Sequence, residues 1–237
     1  MKLSKRDKII DTIVFIVLLV VVSAVTLTLF YRQTTGSEAL YHSDMKAYIK
    51  EMQGLEHAYE FPYPVFFKFS ALIHLFTGPE MAVAIATMLL NSLAIVLTKL
   101  ALNHFVIGRA GVSAGMAECA GGVAGLIRRN GWLAGVLISF VTVSLFFVSM
   151  LFPPAGMWLP GIHHIYLGVF TPNPFHNATY MAARPFTILA FLCFVKLLPV
   201  YEEGASKDNG ATGVPIQDYL FFSVFLLLAT MTKPSLR

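Results

Sequence analysis

The chain has 237 residues, of which 57% are hydrophobic and only 13% charged. A soluble domain carries roughly a quarter charged residues, so this composition, with a mean hydropathy of +0.70, excludes an ordinary soluble fold and points to several membrane helices. The net charge of +4 is modest and fits a cytoplasmic excess of lysine and arginine better than a nucleic-acid-binding surface.

Lys2, Lys5, Arg6 and Lys8 precede an apolar run over residues 9–30. At about 22 residues it is long enough to span, and no small-x-small cleavage site follows it. It reads as an uncleaved signal anchor with its basic end in the cytoplasm. Residues 31–64 then form an outer loop, the longest polar interval of the chain. Ala39–Leu55 has few helix breakers and has room for a short amphipathic helix lying on the membrane. Phe61-Pro62-Tyr63-Pro64 restarts the chain. Val65–Phe76, interrupted by Lys68 and His74, is too short at about 12 residues to cross a bilayer and reads as an interfacial helix. Pro79 suits the first turn of the next helix, and residues 81–106 form the second span, with Asn91, Lys99 and His104 toward its inner end. Arg109, Arg128 and Arg129 against the one acid Glu118 make the following loop cytoplasmic.

Residues 132–151 span outward, and 152–184 form a second outer loop rich in aromatics, prolines and histidines. Residues 185–200 return inward, Tyr201–Gln217 is a flexible inner loop, and 218–231 is a fifth span. The fold class is therefore an all-α polytopic integral membrane protein, with about five transmembrane helices and one interfacial juxtamembrane helix in a single membrane domain. Its place is the cytoplasmic or inner membrane, among membrane lipids, with no nucleic-acid partner. The end at Lys233-Pro234, directly after an apolar run, reads as that of a fragment truncated at its C-terminus. Cys119 and Cys193 lie far apart and support neither a disulfide framework nor a zinc site.

The chemistry-bearing residues fall in the two outer loops. Asp44 can act as a general base or ligate a divalent cation, or it is a solvated loop acid or helix cap. In a helix it sits one turn before Tyr48, and His42 lies close to Lys46. Five of the seven histidines (His42, His57, His163, His164 and His176) belong to these loops, none with the i, i+4 pairing of a zinc helix. Asn173, His176 and Asn177 are the kinds of groups that bind carbohydrate hydroxyls, and Asn177-Ala178-Thr179 also fits a glycosylation sequon. Arg184, where the second loop re-enters the membrane, can pair with a lipid-linked phosphate or snorkel to headgroups. Lys233 is a further cation at the edge of an apolar segment.

The order of these features resembles the GT-C superfamily of polytopic membrane glycosyltransferases. The pieces that carry the resemblance are the basic start and anchor, His42-Ser43-Asp44 in the first outer loop, and Tyr63-Pro64 opening a juxtamembrane helix that ends in Phe76-Thr77-Gly78-Pro79-Glu80. The late Leu228-Ala229-Thr230-Met231-Thr232-Lys233-Pro234 is the last of them. The resemblance implies transfer of a sugar from a polyprenyl-phosphate carrier to an acceptor at the outer face. Asp44 would be the base or the ligand of a divalent cation, the one cofactor implied. His42 and His176 would assist it, Arg184 would hold the donor phosphate, and Asn173, Asn177 and Tyr48 would contact the substrate. The second outer loop departs from the family pattern, with no Asp or Glu between Pro153 and Arg184. Two other classes stand beside this one: a transporter, which needs polar groups at helix midpoints or broken helices, and a non-catalytic membrane scaffold.

Overall fold

The structure, a computed structural model, describes residues 4–36, 43–56, 61–108, 131–151, 177–206 and 216–233. Among these the chain is all-helical: α1 (Lys5–Thr35), α2 (Met45–Gln53), α3 (Val65–His74), α4 (Pro79–Leu102), α5 (Gly131–Leu151), α6 (Ala178–Ser206) and α7 (Ile216–Thr232), with a π-helical turn, Asn103–Gly108, continuing α4. Three stretches, Lys5–Thr35, Pro79–Val106 and Ala178–Leu198, are long and apolar enough to cross a membrane. The 31 residues of α1 rise about 46 Å, against a hydrocarbon core of about 30 Å.

Local chemistry explains the helix boundaries. Ser4 and Asp7 cap α1 reciprocally: the Asp7 amide donates to Ser4 Oγ at 3.1 Å and the Ser4 amide to Asp7 Oδ2 at 3.3 Å. α2 ends in a Schellman motif, with Gly54 at φ 69° and the Leu55 amide donating back to the Lys50 carbonyl at 2.9 Å. The short amphipathic helix expected within residues 39–55 is this element. α4 begins at Pro79, where the missing N–H costs nothing. α6 begins at Ala178 rather than near Pro185, so Arg184 lies in its second turn and not in a loop. It also runs on to Ser206, into the stretch expected as an inner loop.

Threonines within the apolar helices bond to their own backbone. Thr26 donates to the Val22 carbonyl at 2.7 Å, Thr87 to Val83 at 2.8 Å and Thr142 to Ile138 at 2.7 Å. A hydroxyl satisfied inside its own helix needs no water, which is what a lipid environment requires. Ile9, Ile13, Ile16, Val17, Val20 and Val21 of α1 are all about half exposed or more. Apolar surface on that scale suits contact with acyl chains better than contact with water.

The chain divides into two compact units, residues 1–26 with 98–175, and residues 27–97 with 176–237. The first unit is pinned by charge. Lys99 of α4 donates to Asp11 Oδ1 of α1 at 2.8 Å and to the Gly135 carbonyl of α5 at 2.7 Å. Ser139 Oγ, one turn beyond Gly135, lies 2.9 Å from Asp11 Oδ1 and 3.0 Å from the same carbonyl. The Lys99 ammonium also sits 5.9 Å from the centre of the Phe15 ring. Asp11, Lys99 and Ser139 are all buried. Gly135 is required sterically, because a Cβ there would lie 2.7 Å from Asp11 Cγ.

In the second unit α2 packs on α3, and α6 lies along α7, bridged by Lys196 Nζ donating to Asp218 Oδ1 at 2.7 Å. α3 buries Phe66, Phe67 and Ser70. His74 Nδ1 closes its last turn on the Thr77 carbonyl at 2.9 Å.

Candidate functional site

The polar cluster of the second unit is assembled around Asp44. This residue stands at the N-terminal boundary of α2, its carbonyl accepting the Tyr48 amide at 3.0 Å while its carboxylate makes no capping bond. One turn on, the Tyr48 hydroxyl lies 3.3 Å from Asp44 Oδ2, the i, i+4 placement that the sequence implies. The same hydroxyl lies 3.0 Å from Asn177 Oδ1, 129 positions along the chain.

Asn177 is the N-cap of α6. Its Oδ1 accepts the Tyr180 amide at 3.1 Å and the Thr179 hydroxyl at 2.6 Å. Its polar character is therefore spent on starting the helix and on meeting Tyr48. Tyr48 is fully buried, with Phe61, Phe66 and Phe67 at ring-centroid distances of 5.2, 6.0 and 5.7 Å. Its ring offers no face to a ligand. Tyr63 packs against Phe61 at 5.8 Å and Phe67 at 5.9 Å, so α2, α3 and the segment before α3 share one aromatic core.

Electrostatics ties the cluster together. Burial pushes the Tyr48 phenol well above its ordinary range, the Asp44 charge adds to this, and a hydrogen bond with Thr179 opposes it. Burial also raises Tyr63, against a hydrogen bond with Thr179, with the charges of Asp44 and Glu51 adding to the rise. Both phenols are neutral near pH 7 and act as hydrogen-bond donors. Lys233, just past α7, is held below its usual range by burial, while the charge of Asp44 works in the opposite direction.

Arg184 lies seven residues beyond Asn177, on the same face of α6 and about 10 Å further along it. Its Nη1 donates to Asn91 Oδ1 of α4 at 3.4 Å, and Asn91 is buried.

The structure therefore brings Asp44, Tyr48 and Asn177 together and places Arg184 two turns further along α6. His42, Asn173 and His176 lie outside the described residues. Thr179, Tyr63 and Lys233 join the cluster without having been assigned to it from sequence. Asp11 was missed altogether, although a signal existed. It is the one charged residue in the apolar run of α1, and Lys99 is the one Asp, Glu, Lys or Arg in residues 81–106; ionisable groups in spanning helices tend to pair.

Among the described residues no three His, Cys, Asp or Glu side chains converge as metal ligands. What the cluster can do is accept a proton at Asp44 and hold the resulting charge distribution with phenol, amide and ammonium groups. No family model, no curated protein and no solved structure matches this chain.

Proposed function

We propose that this chain is an integral membrane glycosyltransferase of the GT-C kind, moving a sugar from a polyprenyl-phosphate donor to an acceptor at the outer face of the membrane. α1, α4, α5, α6 and α7 are its five spans, α3 is interfacial, and the basic N-terminus is cytoplasmic under the positive-inside rule. The observation that carries the reading is the meeting of the first-loop acid with the N-cap of α6 through one buried phenol, Tyr48, bonded to both Asp44 and Asn177. Residues far apart in sequence are gathered around one carboxylate.

In this reading Asp44 is the general base. It takes the proton of the acceptor hydroxyl as that oxygen bonds to the anomeric carbon. The bond from that carbon to the phosphate oxygen breaks, and polyprenyl phosphate leaves with the electron pair. Lys233 and Arg184 supply positive charge for the departing phosphate. His42, His176 and Asn173 keep the assisting and hydroxyl-binding roles that the resemblance gives them.

One observation favours a transporter instead, the buried Asp11–Lys99 pair within apolar helices. Yet the ammonium there is matched by a carboxylate, a carbonyl and a ring, which suits a fixed architectural element.

The test is sugar transfer by the full protein in proteoliposomes, offered a set of polyprenyl-phosphate sugars, native against Asp44→Asn. A loss of about 10²-fold or more is expected of a missing general base. Transfer that survives the substitution removes Asp44 from the mechanism. Absence of transfer by folded native protein from any donor removes the glycosyltransferase reading.

A further inference from the structure

α3 buries one stripe of side chains and bares the other. Phe66, Phe67 and Ser70 are buried. Lys68, Leu72 and Leu75, spaced along the opposite face, are exposed, and Phe76 follows them in the closing turn. Leu72 is 57% exposed, Leu75 74% and Phe76 84%. Backbone bonds fix this turn: the Phe76 amide donates to the Ile73 carbonyl at 3.0 Å, and His74 Nδ1 meets the Thr77 carbonyl at 2.9 Å. The apolar tips are therefore held away from the fold, and so large a bare patch marks a surface of contact.

Covalent continuity identifies what that contact is with. Phe76 stands three residues before Pro79, where α4 begins, so the two are at most about 11 Å apart. α4 belongs to a stretch long and apolar enough to cross a membrane. Glu80 lies in its first turn, and residues 81–98 carry no Asp, Glu, Lys or Arg. Glu80 thus marks the level at which charge returns to headgroups and water, and the α3–α4 corner lies beside that level.

We infer that Leu72, Leu75 and Phe76 form a shallow wedge in the leaflet where α4 begins, seated between headgroups and acyl chains, with Lys68 reaching the lipid phosphates. This rests on the proposed membrane arrangement, with α4 as a span, and not on the sugar-transfer chemistry. Lys68 is about 12 Å back along the helix from Phe76, so the cation lies at one end of the stripe and the barest apolar side chains at the other. α3 accordingly dips toward its C-terminal end. Tyr48 of α2 packs on Phe66 and Phe67 of α3, and the wedge therefore ties α2, with Asp44 at its boundary, to the membrane surface.

The test uses the full protein with Trp132→Phe and Trp158→Phe, so that one introduced tryptophan reports alone. In phosphatidylcholine vesicles Phe76→Trp is expected to emit blue-shifted light. It is also expected to be quenched more by lipids brominated near the headgroup than by lipids brominated near the chain ends. The ratio of deep to shallow quenching should be larger for Phe76→Trp than for Leu72→Trp. Water-like emission without quenching overturns the inference, because the corner then faces solvent. Blue-shifted emission that neither lipid quenches also overturns it, in favour of a protein cover. Ile13→Trp, at an exposed position of α1, is the control: if it too escapes quenching, the membrane arrangement itself falls, whereas a quenched Ile13→Trp beside an unquenched Phe76→Trp removes the wedge alone. The double variant Leu75→Ser with Phe76→Ser tests the anchoring. Amide exchange in α2 is expected to quicken in vesicles, and exchange unchanged from the native protein would show that α2 is not held by this corner.

Discussion

The two polar clusters of this chain are built in opposite ways. Around Asp11 the charge is matched within a small, buried set: the ammonium and the hydroxyl each lie within 2.7–3.0 Å of both the carboxylate and the carbonyl. Gly135 lets α5 approach so closely that no side chain fits between. Around Asp44 the groups come from four stretches of chain, and the Tyr48 hydroxyl lies 3.3 Å from Asp44 Oδ2 and 3.0 Å from Asn177 Oδ1. A saturated cluster holds helices in register, and moving a proton in it would break several bonds at once. The second cluster gathers a carboxylate, a phenol and an amide from distant parts of the chain, the kinds of groups that reaction chemistry uses. The first has the character of architecture and the second that of a site.

The sharpest way to break this comparison is to remove one charge from the first cluster. Asp11→Ala or Lys99→Met leaves a buried charge without its counterpart and is expected to cost about 3–5 kcal/mol, read as a large loss of thermal stability in detergent. The double variant Asp11→Ala with Lys99→Met restores much of that loss, because no charge is then left buried. Asp44→Asn, by contrast, is expected to change stability by only about 0.5 kcal/mol while abolishing transfer. Equal destabilisation at Asp11 and Asp44 would erase the distinction. Next in size is Gly135→Ala. Its methyl group would lie 2.7 Å from Asp11 Cγ, and forcing the helices apart costs about 1–3 kcal/mol. If Gly135→Ala melts like the native protein, α1 and α5 are not in such close contact.

The three helices long and apolar enough to cross a membrane were legible in the sequence, because crossing lipid requires a long apolar run. Asp44 stood out for the converse reason, as an acid in a polar interval next to such runs. Partners distant in sequence did not stand out. Asp11 is one acid at the edge of an apolar run, and nothing local says that its partner lies 88 positions on at Lys99. Pro185 looked like the restart of a helix, although α6 already runs through it from Ala178. The earlier signal was Asn177, a good N-cap residue directly before the first helical position. The burial of Tyr48 was equally hidden, since it depends on Phe61, Phe66 and Phe67 folding back over α2. A tyrosine in a polar loop reads as a ligand contact until those rings are in place.

Smaller effects sharpen the comparison from the side of the site. The Tyr48 phenol is raised by burial and then by the Asp44 charge. In the unfolded chain it would ionise near pH 10. The fold therefore keeps the full benefit of a neutral, bonded phenol below about pH 10 and loses it as pH rises through the higher folded value. Alkaline titration followed by tyrosinate absorbance should show a late-ionising class that shrinks in Tyr48→Phe. An unchanged late class in that variant would place Tyr48 in contact with solvent.

The smallest expected effect is at Lys196–Asp218, which bridges α6 and α7 at 2.7 Å but leaves the Lys196 side chain 68% exposed. The pair gains little, because the Lys196 ammonium remains exposed and ordering the long lysine stem offsets much of the attraction. Lys196→Ala should cost at most about 1 kcal/mol, and less in high salt. The same chemical pair, lysine with aspartate, is thus predicted to differ severalfold in worth between its two settings in one chain, and the difference is set by what surrounds the ions. Melting curves of Lys196→Ala and Lys99→Met, taken side by side at low and high salt, measure it. A Lys196 effect as large as that of Lys99, and as insensitive to salt, would mean that the α6–α7 pair is shielded from water by something beyond its own two helices, such as the bilayer in which they are proposed to lie.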